Sequence, residues 1–157
     1  MSAIWESIAA PVYVTGVLDA SADTVWLLLR DFSNLKHYAH DVVSSDIEDG
    51  RPADQVGVVR HIVIENGKIA RERLVALSDA DRYLRTLLLP PEPMPLRNYS
   101  ERLRVIPISD EDKCVVELIG SFSTPEGTTE DMQARISKMY KAAIVGIREY
   151  VEKSSHA

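Results

Sequence analysis

The chain of 157 residues has a single cysteine, Cys114, so no disulfide can form within it. It has no excess of basic charge. The formal net charge is −6, which argues against nucleic acid or an anionic membrane surface as a partner, since both need a basic face. Met1 to Thr15 contains no Lys or Arg and no long apolar run, so nothing there reads as a signal peptide. The longest unbroken apolar run, Val25 to Leu29, is far short of a membrane span. There is no internal repeat or low-complexity tract, no Gly-x-Ser-x-Gly elbow, no Gly-x-Gly-x-x-Gly and no P-loop, which removes the common hydrolase and nucleotide signatures. A cytoplasmic protein with one domain over residues 1–157 is the expectation.

The stretch that is most clearly organised lies at the end. Between Thr128 and Lys153, Met132, Ile136, Met139, Tyr140, Ala143, Ile144, Ile147 and Val151 recur every three or four positions, with no proline among them. That spacing predicts one amphipathic helix, roughly 39 Å long at 1.5 Å per residue. Thr128 or Thr129 can cap it, and Glu130 and Asp131 suit the positive end of its dipole.

Most of the remainder reads as strands. Val12–Leu18 is rich in β-branched residues and ends where Ser21 can cap a helix, followed by the stripe Val25, Leu28, Leu29 and Phe32. Ser33 can cap a second short helix, Asn34 to Ala39. Six further strands are expected at Val42–Glu48, Gly57–Glu65, Lys68–Leu77, Arg82–Leu89, Asn98–Ile108 and Lys113–Phe122, separated by turn signals. Asn66-Gly67 is the strongest of these and points to a type I′ hairpin. The order predicts an α+β fold: seven antiparallel strands curved around the long C-terminal helix, with two short helices after the first strand. Four prolines between Leu89 and Leu96 make a stiff loop, either a connector or a lid over a site.

Alternation along the strands assigns faces. It puts Arg71 and Arg73 outside and Glu72 inside with Leu74. It leaves Gly57–Glu65 undecided, and it sends Tyr99, Glu101, Leu103 and Val105 inward, with Arg102, Arg104 and Glu117 on a solvated outer face. A charge inside a core costs several kcal/mol unless it is paired, wet or neutralised. A two-residue turn at Asn66-Gly67 would set Arg60 opposite Arg73 and diagonal to Glu72, a step short of direct opposition. Such a pair reads either as a structural ion pair or as a polar hand inside an apolar cavity.

Several stretches together resemble one known family. They are Ala22-Asp23-Thr24-Val25-Trp26, Asp31-Phe32-Ser33-Asn34-Leu35, Gly57-Val58-Val59-Arg60, Glu72-Arg73-Leu74, Asp79-x-x-Arg82, Asn98-Tyr99 and Val105-Ile106-Pro107. In this order they are similar to the polyketide cyclase/dehydrase and START-related (SRPBCC) superfamily over about residues 12 to 152, nearest the branch that holds the lachrymatory-factor-synthase-like proteins. The resemblance implies a helix-grip fold with Arg60 turned inward. It implies catalytic roles for Arg60 and Glu72 and a pocket position for Tyr99. Leu118, where relatives often have Trp, and Glu101, where a small or apolar residue is usual, depart from the pattern.

The expected function is a cofactor-independent acid/base enzyme, a cyclase, dehydratase or isomerase for a small hydrophobic carbonyl compound. Arg60 would hold the oxygen on which charge develops, Glu72 would move a proton, Tyr99 would donate a hydrogen bond and Glu101 would serve as a second acid/base group. Ile62, Leu74, Leu88, Met94, Leu118, Phe122, Met132, Ile136, Met139 and Tyr140 would line the substrate. The alternative is a carrier of a hydrophobic ligand or lipid that performs no reaction. No metal is expected: His37-x-x-His40-Asp41 reads as a solvated pair on a short helix, and Cys114 as a core filler. A homodimer through an edge strand stays open.

Overall fold

In the computed structural model, which describes residues 3–8 and 10–155, the alternating runs fold into one antiparallel sheet of eight strands. These are β1 (Trp5–Ser7), β2 (Val12–Leu18), β3 (Val42–Ile47), β4 (Val59–Ile64), β5 (Ile69–Ser78), β6 (Tyr83–Leu89), β7 (Arg97–Pro107) and β8 (Cys114–Pro125). From β8 the neighbours run in reverse sequence order to β3, and β1 and β2 share the other edge of β8. The strand beyond the expected seven is β1, whose three residues are too few to register as an alternation. It continues the lane of β2 on the far side of Pro11, pairing with Ser123–Pro125 while β2 pairs with Cys114–Gly120.

The hairpin between β4 and β5 differs from the expected two-residue turn in a way that matters for the site. Ile64 donates its N–H to the Lys68 carbonyl at 2.9 Å and Gly67 donates to the Ile64 carbonyl at 2.8 Å, so Glu65, Asn66 and Gly67 all lie in the loop. Only Gly67 has positive φ, +84°. A three-residue loop with its last residue left-handed is a common hairpin solution. It moves the register by one, so that Arg60 lies directly opposite Glu72 and Val59 opposite Arg73.

Two short helical pieces follow β2. Helix α1 (Ala22–Leu29) starts at Ser21, whose Oγ accepts from the Thr24 N–H at 3.1 Å. A 3-10 turn (Phe32–Asn34) then runs into α2 (Leu35–Tyr38). The cap of that turn is Asp31 rather than Ser33: its carboxylate accepts from both the N–H and the hydroxyl of Ser33, at 2.9 and 2.6 Å. A carboxylate is the stronger acceptor, and two residues earlier it takes the position first.

Helix α3 (Thr129–Ser155) buries Met132, Ile136, Tyr140, Ile144, Ile147 and Val151 and packs against β2 and β8. Met139, expected on that stripe, is 43% exposed on the flank. Thr128 and Thr129 do not cap α3 with their hydroxyls, which donate instead to the Pro125 carbonyl and the Glu6 carboxylate, each at 2.7 Å. Glu6 of β1 thereby places a negative charge at the helix N-terminus. Gly146 allows α2 to cross α3 closely, since a Cβ there would collide with the Tyr38 backbone carbonyl. Among the described residues no helix is long and apolar enough to cross a membrane.

The outer face is less solvated than the charge pattern suggests. Glu117 is buried there, accepting from the Tyr13 hydroxyl at 2.6 Å and from Arg102 at 3.1 Å. Alternation reports which side a residue takes, and long neighbours on the same side then cover it.

Candidate functional site

Because α3 lies over β2 and β8, its flank and the curled strands β3 to β7 enclose a hollow of about 420 Å³. The wall is largely apolar: Ile62, Ile64, Leu84, Leu88, Leu103 and Leu118 from the sheet, Leu35 from α2 and Ala143 from α3 all face it. The mouth lies between Ala39–Asp41, the flank residues Arg135, Lys138 and Met139 of α3, and Pro93 and Met94. The proline-rich loop is therefore part of the cavity wall as well as a connector.

Of the ten residues expected around a ligand, Ile62, Leu88, Met94, Leu118, Met139 and Tyr140 line the hollow. Leu74, Phe122, Met132 and Ile136 do not, and belong to the packed core. Inward parity marks the concave face, but that face is longer than the cavity. Met132 and Ile136 lie on the helix stripe that packs directly on strands, and Phe122 stacks on Tyr99 with centroids 6.0 Å apart.

All four residues expected to carry chemistry meet at the cavity: Arg60, Glu72, Tyr99 and Glu101. Strand β4 delivers Arg60, buried at 6% exposure, and the register set by Gly67 delivers Glu72 across from it. The guanidinium donates to the Glu72 carboxylate at 2.7 Å and to the Phe32 carbonyl at 3.0 Å, and lies over the Phe32 ring at 3.9 Å. Its Nε, also buried, has no partner among the described residues. On β7, Asn98 adopts a left-handed φ of +54° where the pairing with β8 is irregular, and Tyr99 and Glu101 follow on the inner face. The Tyr99 hydroxyl donates to Glu101 at 3.1 Å and shares a short hydrogen bond with the Tyr140 hydroxyl. Tyr140 reaches that place because Gly120 lies beneath it, where any Cβ would strike the phenol.

The electrostatics single out Glu101. Burial, reinforced by the nearby negative charge of Glu72, pushes the Glu101 carboxyl up to about 7, against the pull of Arg60 and the Tyr99 hydroxyl. Glu101 lines the hollow and is half-buried. Burial is the largest single influence and opposes the charge of Arg60, but Glu72, Tyr38 and Glu101 together outweigh it and the guanidinium is held more firmly protonated than usual. Tyr99 and Tyr140 are raised by burial, and burial pushes Tyr38 up to about 12, so all three phenols remain hydrogen-bond donors. The site therefore offers one fixed cation, a pair of phenols bonded to each other and to the acid, and a carboxyl that titrates near neutrality.

Three contributors escaped the sequence reading. Phe32 figures in the sequence as a helix-stripe residue and as part of a family motif, but its backbone carbonyl, which accepts from Arg60, has no sequence signal. Tyr38 lies on a helix of four residues, too short for a periodicity. Thr86 is 2% exposed, lines the hollow and has no hydrogen-bond partner for its hydroxyl among the described residues. Its signal was available, since in β6 it alternates with the exposed Arg85 and Leu87 and so falls on the inner face. The histidines face other tasks: His40 lies 3.1 Å from the Glu149 carboxylate and the His37 ring packs on Tyr150. Burial raises the Cys114 thiol to about 11, as befits a core filler.

A curved antiparallel sheet gripping a long terminal helix, with a polar floor inside an apolar hollow, defines a helix-grip protein built around an interior cavity. The chain belongs to the polyketide cyclase/dehydrase and lipid transport family, whose model matches residues 9–152. No curated protein is similar enough to match. Among solved structures, XoxI from Bacillus cereus is 23% identical, with a TM-score of 0.81 over 94% of this chain and 99% of that one. A protein from Thermobifida fusca is 22% identical, with a TM-score of 0.80 over 91% of this chain and 93% of that one. Norcoclaurine synthase from Thalictrum flavum, in complex with dopamine and hydroxybenzaldehyde, is 16% identical, with a TM-score of 0.70 over 97% of this chain and 89% of that one. At these identities the likeness is one of fold.

Proposed function

We propose that this protein is a cofactor-independent acid/base enzyme, a cyclase, dehydratase or isomerase that acts on a small hydrophobic carbonyl compound held in the cavity. The observation that carries the reading is Glu101, a carboxyl raised to about 7 inside an apolar hollow and bonded to a phenol. A group poised near neutrality can take a proton from carbon beside a carbonyl and return it elsewhere. Charge that develops on the carbonyl oxygen is met by the field of Arg60, since the Tyr99 and Tyr140 hydroxyl protons are already engaged with Glu101 and with each other. Glu72, expected from sequence to move the proton, fits better as the partner that holds Arg60 in place, because its carboxylate is already engaged at 2.7 Å. The solved norcoclaurine synthase, of the same fold, has an aldehyde bound, which is consistent with carbonyl chemistry in such a hollow.

The test begins with native mass spectrometry of the purified protein for a co-purified small molecule. That molecule is then incubated with wild type and Glu101→Gln, and products are followed by liquid chromatography and mass spectrometry. Turnover by wild type, lost by at least a hundredfold in Glu101→Gln with ligand binding retained, is the expected result. Full activity in the variant removes Glu101 from the mechanism. A carrier is the second reading, favoured by the closed Arg60–Glu72 pair and by the lipid transport in the family's description. In that case wild type returns the ligand unchanged.

A further inference from the structure

Helix α3 carries its charge unevenly. Between Asp131 and Glu149 it has four cations, Arg135, Lys138, Lys141 and Arg148, and no acid, in a chain whose formal net charge is −6. Arg135, Lys138 and Lys141 follow one another at three-residue spacing, where like charges repel and weaken a helix. Among the described residues none of these three has a carboxylate within salt-bridge distance. Arg135 and Lys138 border the hollow, together with Met139 and Ala142. Counted from Arg135 these lie three, four and seven positions on, so one edge of α3 forms that lip of the mouth. Across from it Asp41 is the one acid at the mouth, and His40 is engaged with Glu149. Further in, the balance is reversed: Glu72 meets the charge of Arg60, and Glu101 adds a second carboxyl. An anion carried to the floor would lose its water and meet two carboxyls. One left at the mouth keeps part of its hydration and meets two cations.

We propose that Arg135 and Lys138 form a binding site for a carboxylate of the ligand, so that the molecule held in the hollow is an amphiphilic acid whose uncharged apolar end enters first and whose carboxylate stays at the mouth. The inference rests on the hollow being the ligand site, and it deepens that reading by fixing the ligand's charge and its direction of entry. It does not require that a reaction follow. Arg135 presents a planar fork that matches a carboxylate, and Lys138 adds a second point charge one turn along. Both side chains are long enough to reach over the mouth while their stems cover apolar wall. The cations also draw anions toward this one opening of an otherwise acidic protein. Two cations on one lip of a concave mouth suit a free acid, whereas an anionic membrane needs a broad basic face.

The test compares decanoate with decan-1-ol, which share a chain and differ in charge, on wild type, on the double variant Arg135→Gln with Lys138→Gln, and on Lys141→Gln, whose side chain does not line the hollow. Affinities are read by ligand-observed NMR at neutral pH and low ionic strength. The double variant is expected to bind decanoate about five- to tenfold more weakly than wild type, with the alcohol unchanged and Lys141→Gln like wild type for both probes. High salt should remove most of the difference. Glutamine suits a helix and relieves the like-charge repulsion, so the double variant should stay folded, and its unchanged affinity for the alcohol reports that the hollow persists. Equal affinity of wild type and the double variant for decanoate would place the carboxylate elsewhere and overturn the proposal. So would an equal loss in Lys141→Gln, which would mean diffuse attraction to the helix surface. In both cases binding of the alcohol would leave the hollow standing as a ligand site, whereas failure of both probes to bind would overturn the two together. None of these readouts involves turnover, so the role of Glu101 is decided separately.

Discussion

Replacing Glu101 by glutamine should change how stability depends on pH, and the sign follows from the direction of its shift. The carboxyl is raised from 4.5 to about 7 by folding, so the native state holds this proton more tightly than the unfolded chain does. The contribution of the protonated acid is fully present below pH 4.5 and is lost as pH rises through about 7. At about 1.4 kcal/mol per pKa unit, a shift of this size corresponds to about 3 kcal/mol of stability withdrawn across that window. Glutamine keeps the shape and removes the titration. Urea unfolding of wild type and Glu101→Gln at intervals from pH 4 to pH 9 isolates the effect, because titrations of groups that do not interact with Glu101 cancel in the difference. The variant should gain on wild type by about 3 kcal/mol between the acid and alkaline ends, with the change centred between pH 5 and 7. A difference that stays flat with pH would mean that the carboxyl is fully hydrated, and the account of a dry, acid-holding hollow would be refuted.

Two further outcomes follow from the packing around the site. Glu72→Gln leaves the buried Arg60 charge without its counter-ion and should cost about 3–5 kcal/mol, while the double change Arg60→Met with Glu72→Leu should recover most of that in denaturant melts. Gly146→Ala should destabilise the fold more than Gly120→Ala, because the added methyl meets the Tyr38 backbone in the first case and the tip of the Tyr140 side chain in the second. Melting temperatures of the two variants decide the order.

A considerable share of the fold was legible in the sequence, and for local reasons. Strand alternation sent Glu72, Tyr99 and Glu101 inward, the three-to-four spacing marked the buried face of α3, and Ser21 marked the start of α1. The family resemblance supplied the inward turn of Arg60, which alternation in its own strand left open. Less legible were features that depend on how elements meet. Leu74, Phe122, Met132 and Ile136 face inward as expected yet lie outside the cavity, because parity says nothing about where a helix will settle on a sheet. Glu117 reads as a solvated charge, and Tyr13 and Arg102 from other strands bury it.

What the residues determined by themselves was the class of architecture and the presence of charge inside it, since periodicity and the cost of an inward carboxylate are properties of a single strand or helix. The tertiary structure decided what those charges are for. One loop residue at Gly67 sets the register that seats Arg60 on Glu72, and the placement of α3 over β2 and β8 leaves Glu101 facing an open hollow. The proton affinity of a carboxyl depends on every group within a few ångströms, and those groups come from strands and helices far apart in the chain.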